Sequence, residues 1–297
     1  MIKYYDRKTK KIEIENVAGD KYLNWVYTSP IGKGLLELIV KRKFFSSLYG
    51  KYCDSNMSKK KILKFIDEFN IDKELFETVP EDFKNFNDFF ARKLKKEHMI
   101  FDKSNDVLIS PCSARIFAYT DIKSNTVFNI KDFKYTLRDL LDNDQICETY
   151  NCGTCLIFRL CPTDYHRFHF IDNGVCSSSN KIKGSYYSVN PISLDTVKKV
   201  FVENKREWSV FKSENFDDVI YIEVGATCVG SIIQTYTADA PIQRGDEKGY
   251  FKFGGSTVIM LFKENIVEID HDIVSNSRKG VETLINIGDS IGKRLDR

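Results

Sequence analysis

The 297-residue sequence has no apolar run approaching the roughly 20 residues that a membrane-spanning helix needs. Its first residues, Met1-Ile2-Lys3-Tyr4-Tyr5-Asp6, lack the apolar core of a secretory signal, so the chain is expected to stay on the cytoplasmic side. An excess of one charge is also missing. Forty-five Lys and Arg nearly balance 42 Asp and Glu, and a net charge of +3 is too mild to imply a nucleic-acid partner. There is no internal repeat and no low-complexity linker, which excludes solenoids and long tethers. Histidine is scarce: His98, His166, His169 and His271 are the only imidazoles available for proton transfer near neutral pH. A complete zinc-ligand pattern is absent too. Cys152-Gly153-Thr154-Cys155 has the spacing of a redox or zinc half-site, yet no second such pair follows and Cys155 opens an apolar strand-like run. The eight cysteines read as reduced thiols, and no metal is expected.

With 42% apolar residues the chain can bury a sizeable core. From Tyr22 to about Phe69 the pattern is helical. Leu35, Leu36, Leu38, Ile39, Phe44, Phe45 and Leu48 are interleaved with Lys33, Lys41, Arg42, Lys43 and Lys51, and Ile62, Phe65, Ile66 and Phe69 follow at helical spacing behind Lys59, Lys60, Lys61 and Lys64. Such a segment reads either as a helical hairpin packed on the core or as a cationic surface lying in a lipid interface. Beyond Phe90 the texture becomes β, with strand-like runs at 107–110, 155–160, 219–224, 229–236 and 257–262 broken by Gly, Asn, Asp and Pro turns. The expected class is α+β, with N-terminal amphipathic helices over residues 1–85 on a β-rich body over 86–297.

Near the C-terminus, Phe253-Gly254-Gly255-Ser256-Thr257-Val258 sets a serine behind two glycines. Taken alone this is ordinary turn chemistry. It is also a place where the chain can bend far enough for a side chain to attack the preceding carbonyl. Attack by Ser256 Oγ on the Gly255 carbonyl would convert the amide to an ester. Elimination across the Ser256 Cα–Cβ bond would then break the chain and leave a dehydroalanine, whose hydrolysis gives a pyruvoyl cap that condenses with amines.

Ahead of this serine, in order, come Phe86-Asn87-Asp88-Phe89-Phe90, Asp164-Tyr165-His166-Arg167-Phe168-His169, Tyr187-Ser188-Val189-Asn190-Pro191, Val224-Gly225-Ala226-Thr227-Cys228-Val229-Gly230-Ser231-Ile232 and Gly245-Asp246-Glu247-Lys248-Gly249-Tyr250-Phe251. These blocks together, spanning about Phe86 to Phe262, resemble the phosphatidylserine decarboxylase proenzyme family. The resemblance implies a lyase that is pyruvoyl-dependent, cleaves itself between Gly255 and Ser256, and converts phosphatidylserine to phosphatidylethanolamine and CO2. It further implies that the large and small chains stay together and that the protein attaches peripherally to the cytoplasmic face of the cell membrane; a homo-oligomer is left open. A lipid-binding pseudoenzyme of the same family that does not process itself is the alternative.

A regular strand over Asp164–Phe170 would turn His166 and His169 to opposite faces, and the pattern alone does not choose between them. The resemblance selects His169 as the general base and leaves His166 to orient substrate or support the base. It also calls for an orienting aspartate in a Pro-x-Asp segment, but this chain has Ser110-Pro111-Cys112-Ser113, so Ser113 stands at that position. A hydroxyl can hold an imidazole tautomer, yet it cannot offset the positive charge that develops on the base. Asp88, Asp106 and Asp164 are the carboxylates considered as substitutes. Arg115, Arg167 and Lys183 lie in or near the matching blocks as possible phosphate contacts, and none is assigned.

Overall fold

The structure is a computed structural model that describes residues 2–15, 29, 43–123, 129–130, 133–187, 200–225, 232–254 and 256–296. The expected helical stretch ahead of Lys43 (Ser29 excepted), the blocks 188–191 and 226–231, and Gly255 lie outside the described residues.

Long runs of apolar residues without alternation suit strands buried on both faces. Thr154–Leu160 and Ser256–Phe262 are such runs, and every residue in both is buried. They pair antiparallel at the middle of an eleven-stranded sheet, with Ser256 opposite Leu160. Outward from Ser256–Phe262 lie Asp218–Val224, Arg206–Ser213, Gly174–Cys176 and Pro241–Ile242, with Asn180–Ile182 also pairing along Arg206–Ser213. Outward from Thr154–Leu160 lie Ala114–Thr120, Glu282–Ile285, Lys3–Asp6 and Lys11–Ile14. Only the contact between Lys3–Asp6 and Glu282–Ile285 is parallel, which makes the sheet mixed. One hydrophobic cluster covers each face. Phe158, Val258 and Met260 belong to one, and Ile157, Ile259 and Leu261 to the other.

The fold is α+β, and the expected strands fall where the apolar runs are. The first residues differ from the reading of 1–85 as helical: Lys3–Asp6 and Lys11–Ile14 form a hairpin that joins the sheet. Its strands are short and of mixed polarity, so their partner in the C-terminal region, not their own pattern, stabilises them. The helices α1 (Lys43–Asp54), α2 (Ile62–Phe69) and α3 (Phe86–Phe90) follow, with a 3-10 turn at Asn56–Lys61 between the first two. The side chain of Asn85 caps α3 by accepting from Asp88 N. In α2, Ile62 and Ile66 turn inward to Phe76, Phe83, Phe86 and Phe89, so its apolar stripe packs on the protein.

A second, three-stranded sheet carries Ile232–Gln234, Glu247–Phe251 and Arg167–His169. It is tied to the large sheet by Lys248 and Glu223, whose Nζ to Oε1 distance is 2.8 Å and whose side chains are both fully buried. Gln234 completes the group, accepting from Lys248 Nζ at 3.1 Å and donating to the other Glu223 oxygen at 2.9 Å. A buried ion pair costs desolvation in both partners, so losing one partner is worse than losing both. Lys248→Met alone is therefore expected to destabilise by about 3–5 kcal/mol. The double change Lys248→Met with Glu223→Leu recovers most of that loss, as read from urea unfolding midpoints.

Candidate active site

Ahead of Ser256, Gly254 has φ +137°, a conformation that resists a side chain. Asn87 of α3 accepts from Phe253 N through Oδ1 at 2.7 Å and donates from Nδ2 to Asp54 Oδ1 at 3.0 Å. Lys252 meets the same Asp54 carboxylate at 3.0 Å. The Phe253 ring packs edge-on against Phe86 and Phe90 with centroids 4.9 and 5.0 Å away. The segment before the serine is thus held by polar contacts to α1 and α3 and by aromatic contacts to α3.

Ser256 is fully buried. Its Oγ lies 3.1 Å from His166 Nδ1, and His166 Nε2 lies 2.9 Å from the Cys161 carbonyl. A carbonyl can only accept, so Nε2 carries the proton, Nδ1 presents its lone pair, and the Ser256 hydroxyl donates to it. The imidazole is itself fully buried and stacked on Phe90, with centroids 3.8 Å apart and planes at 22°. Burial, aided by the nearby Arg92 charge, pushes the His166 pKa well below the ordinary histidine value, so the ring is neutral.

The Cys161 carbonyl belongs to a turn that several groups fix. Asp164 Oδ2 accepts from Cys161 N at 2.7 Å, and the same carboxylate pairs with the Arg115 guanidinium. Arg92 donates from Nη2 to the Thr163 and Asp164 carbonyls at 2.9 and 3.0 Å. Of the three carboxylates considered as substitutes, Asp164 holds the turn whose Cys161 carbonyl faces His166. Asp88 instead accepts from Lys84 N, and Asp106 is exposed.

His169 is placed differently. Its Nδ1 lies 2.9 Å from the Gly245 carbonyl and must carry the proton, so Nε2 accepts from the Tyr165 hydroxyl at 3.0 Å. Burial lowers its pKa, and the Gly245 carbonyl opposes that shift. His169 N donates to Pro111 O at 2.8 Å, which brings the segment of Ser113 alongside its backbone. The Ser113 side chain, however, accepts from Ile287 N at 3.1 Å, and no hydrogen bond joins it to either histidine among the described residues. The structure therefore brings Ser256 and His166 together and leaves His169 and Ser113 with other partners. The two histidines diverge because His166 precedes the strand that begins at Arg167.

Of the possible phosphate contacts, Arg115 and Arg167 have protein partners. Arg115 faces Asp164, Arg167 pairs with Glu247 at 2.7 Å and donates to the Ala91 carbonyl, and Lys183 is exposed. Cys152 sits in a turn at φ +59°, whereas Cys155 is buried inside a strand. Sequence reasoning missed Asn204. This buried side chain accepts from Tyr187 N at 2.8 Å and donates to the Tyr187 and Gly225 carbonyls at 2.7 and 2.8 Å, tying together the edges of two motif blocks. No sequence pattern marks an asparagine for that task.

The sequence profile of the family described as phosphatidylserine decarboxylase matches residues 86–293. Phosphatidylserine decarboxylase proenzymes of three clostridia align over nearly the whole chain. That of Clostridium botulinum type A, strain Hall, is 57% identical over 292 residues, covering 98% of this chain and 99% of that protein. Those of Clostridium perfringens and Clostridium novyi are 55% and 54% identical over 294 and 295 residues, each covering 99% of this chain and all of the relative. The chain belongs to the phosphatidylserine decarboxylase family. Membership in a family that is pyruvoyl-dependent directs attention to Ser256 and to the group touching its hydroxyl.

The His166 environment makes a pH prediction. An ordinary histidine base is half protonated near pH 6.5, and its rate would fall by half there. Because burial depresses the His166 pKa, the neutral form persists into more acid solution. With His166 as the base, the reading proposed below, the first-order rate of chain cleavage, followed by electrophoresis, is expected to stay flat between about pH 8 and 6 and to fall only well below that range.

Proposed function

We propose that this chain is a self-processing carboxy-lyase that decarboxylates phosphatidylserine to phosphatidylethanolamine and CO2, after cleavage between Gly255 and Ser256. The observation that carries the reading is the buried Ser256 hydroxyl donating to a lone pair that the Cys161 carbonyl forces onto His166 Nδ1. His166 takes the hydroxyl proton as Oγ attacks the preceding carbonyl and returns it to the departing Ser256 nitrogen; loss of the Cα proton then expels the Gly255 carboxylate from Cβ, which breaks the chain, and hydrolysis of the dehydroalanine releases ammonia and leaves the ketone. In the orienting role that an aspartate plays in a serine protease stands a backbone carbonyl, so Ser113 need not supply it. His169, which the family resemblance favours as the base, is the second reading. Its proximity to the Pro111–Ser113 segment supports it, and removing each imidazole separately decides between them.

The site fits a pyruvoyl group derived from Ser256. It is buried, it has a neutral imidazole beside the position, and the Phe90 ring covers that imidazole. When present, the group supplies an electrophilic carbonyl that engages the substrate amine and accepts the electrons released as CO2 departs. His166 is placed to hold or return a proton at that point, and burial excludes water that would compete.

Strand order supports retention of both chains. The small chain, residues 256–297, would supply Ser256–Phe262, flanked on both sides by strands of the large chain, and Glu282–Ile285, flanked by Ala114–Thr120 and Lys3–Asp6. Separating the chains would expose the centre of the sheet. Among the described residues no helix is long and apolar enough to cross a membrane. A lipid surface is instead met by exposed Leu48, Met57 and Leu63 beside exposed Lys51, Lys59, Lys60 and Lys64 on α1, the 3-10 turn and α2. Phe253 touches Tyr49 of α1 at 6.0 Å, so this surface adjoins the serine segment.

Intact mass is the direct test. Wild type is expected to yield fragments 1–255 and 256–297, the latter beginning with a ketone that hydrazine traps. Ser256→Ala is expected to remain one 34.4 kDa species without CO2 release. His166→Ala is expected to slow cleavage by about 10²-fold or more, the usual size of a general-base contribution, with Ser113→Ala close to wild type. Cleavage that survives in His166→Ala but is lost in His169→Ala moves the base to His169, and an unbroken wild-type chain overturns the self-processing reading.

A further inference from the structure

The N-terminal hairpin makes its contacts chiefly with residues that follow Ser256. Lys3–Asp6 pairs in parallel with Glu282–Ile285, setting Tyr4 opposite Glu282 and Asp6 opposite Leu284. From the end of that strand, Arg7 reaches three acceptors of the same C-terminal region. Its Nε donates to Asp272 Oδ2 at 2.8 Å, Nη2 to Asp270 Oδ2 at 2.7 Å and Nη1 to the Ser290 carbonyl at 2.6 Å. The planar fork of a guanidinium suits this convergence, which a lysine could not reproduce. Beyond the hairpin, Glu15 accepts from Arg159 at 2.6 and 3.2 Å, and Arg159 also donates to Glu282 at 2.9 Å. The hairpin, one strand of the large sheet and the C-terminal region are thereby joined through buried charges.

We infer that this hairpin is a clasp whose partner is the small chain of the cleaved protein, holding its C-terminal half after the bond before Ser256 is broken. The inference rests on the self-processing reading above. In the uncleaved chain, residues 264–296 are tethered covalently and the clasp adds only to an existing attachment. After cleavage that tether is gone at one end. The central strand Ser256–Phe262 then holds the small chain at its start, and the clasp closes its far end, where Glu282–Ile285 would otherwise be the edge of the large sheet. An edge strand left open would also be a template for unwanted pairing. Lys3–Asp6 covers that edge, Thr283 within it is fully buried, and the outermost position passes to Lys11–Ile14.

The test is urea-dependent release of the small chain from cleaved protein, followed by size-exclusion chromatography with mass detection. Wild type, Arg7→Ala and a chain lacking residues 2–15 are compared. Deleting the hairpin is expected to lower the urea midpoint for release by roughly 1 M, and Arg7→Ala by a smaller amount in the same direction. Paired Ser256→Ala forms, which stay in one piece, are expected to shift less than their cleaved counterparts. If the deletion does not fold, Arg7→Ala and Asp270→Asn with Asp272→Asn give the same reading. Equal release midpoints for wild type and Arg7→Ala, or equal shifts in cleaved and uncleaved forms, would overturn the clasp. If wild type never cleaves, the self-processing reading fails on its own. The contact is then read by amide exchange in the intact chain, where Arg7→Ala must accelerate exchange at 282–285 roughly tenfold while 154–160 is unchanged. No acceleration there rejects the clasp as well.

Discussion

The hydrogen bond from His166 Nε2 to the Cys161 carbonyl governs the chemistry available at Ser256. A neutral imidazole has one donor and one acceptor, so fixing the proton on Nε2 leaves Nδ1 no role but to receive. Without that carbonyl either tautomer would be open to the ring, and in one of them Nδ1 would itself donate and leave the serine proton with no acceptor. The surrounding polar groups act on the carbonyl's position. Asp164 caps the turn, Arg115 pairs with Asp164, and Arg92 holds the Thr163 and Asp164 carbonyls. Phe90 presses the ring flat from above. Three separate parts of the chain, residues 90–92, Arg115 and the 161–164 turn, therefore act on the orientation of one side chain.

Such a site cannot exist before the fold does. Its parts come from α3, the 161–164 turn, the segment leading into Arg167–His169 and the last residues ahead of a central strand. Ser256 is in place only when Ser256–Phe262 is inserted between Asp218–Val224 and Thr154–Leu160. Folding must precede cleavage, and the proposed cut falls at the start of the strand, so residues 257–262 keep their places in the ladder. The same insertion that activates the serine holds the product.

Legibility in the sequence followed the kind of interaction involved. Thr154–Leu160 and Ser256–Phe262 could be read because a strand buried on both faces carries a nearly continuous apolar run, here 155–158 and 258–262. The hairpin at Lys3–Ile14 could not, since Lys3-Tyr4-Tyr5-Asp6 has no pattern of its own and is stabilised by residues near the other end of the chain. Ser256 stood out through its glycines and the ordered motif blocks, and Asn87 and Phe90 lay inside one of those blocks without a readable task. Alternation along Asp164–Phe170 could not separate the histidines, because the strand starts only at Arg167 and His166 is free of its register. The Cys161 carbonyl was invisible in principle. Every residue has one, and only the turn decides where it points.

Arg92 shows which requirement outweighs the other at this site. It is almost wholly buried, it lies over the Phe76 and Phe89 rings at 5.1 Å, and its Nε and Nη1 have no hydrogen-bond partner among the described residues. Burial lowers its own pKa to about 10, which still leaves it charged at neutral pH. A cation there works against protonating His166 and so weakens it in the base role proposed for it. Two aromatic faces offset part of the cost of burying that charge. What Arg92 contributes in return is the position of the Thr163 and Asp164 carbonyls, and through the turn the position of the carbonyl that orients His166. Geometry is maintained here at the expense of basicity. That exchange is tolerable for a bond broken once in the life of the molecule, where a slow proton transfer delays maturation without lowering every later turnover.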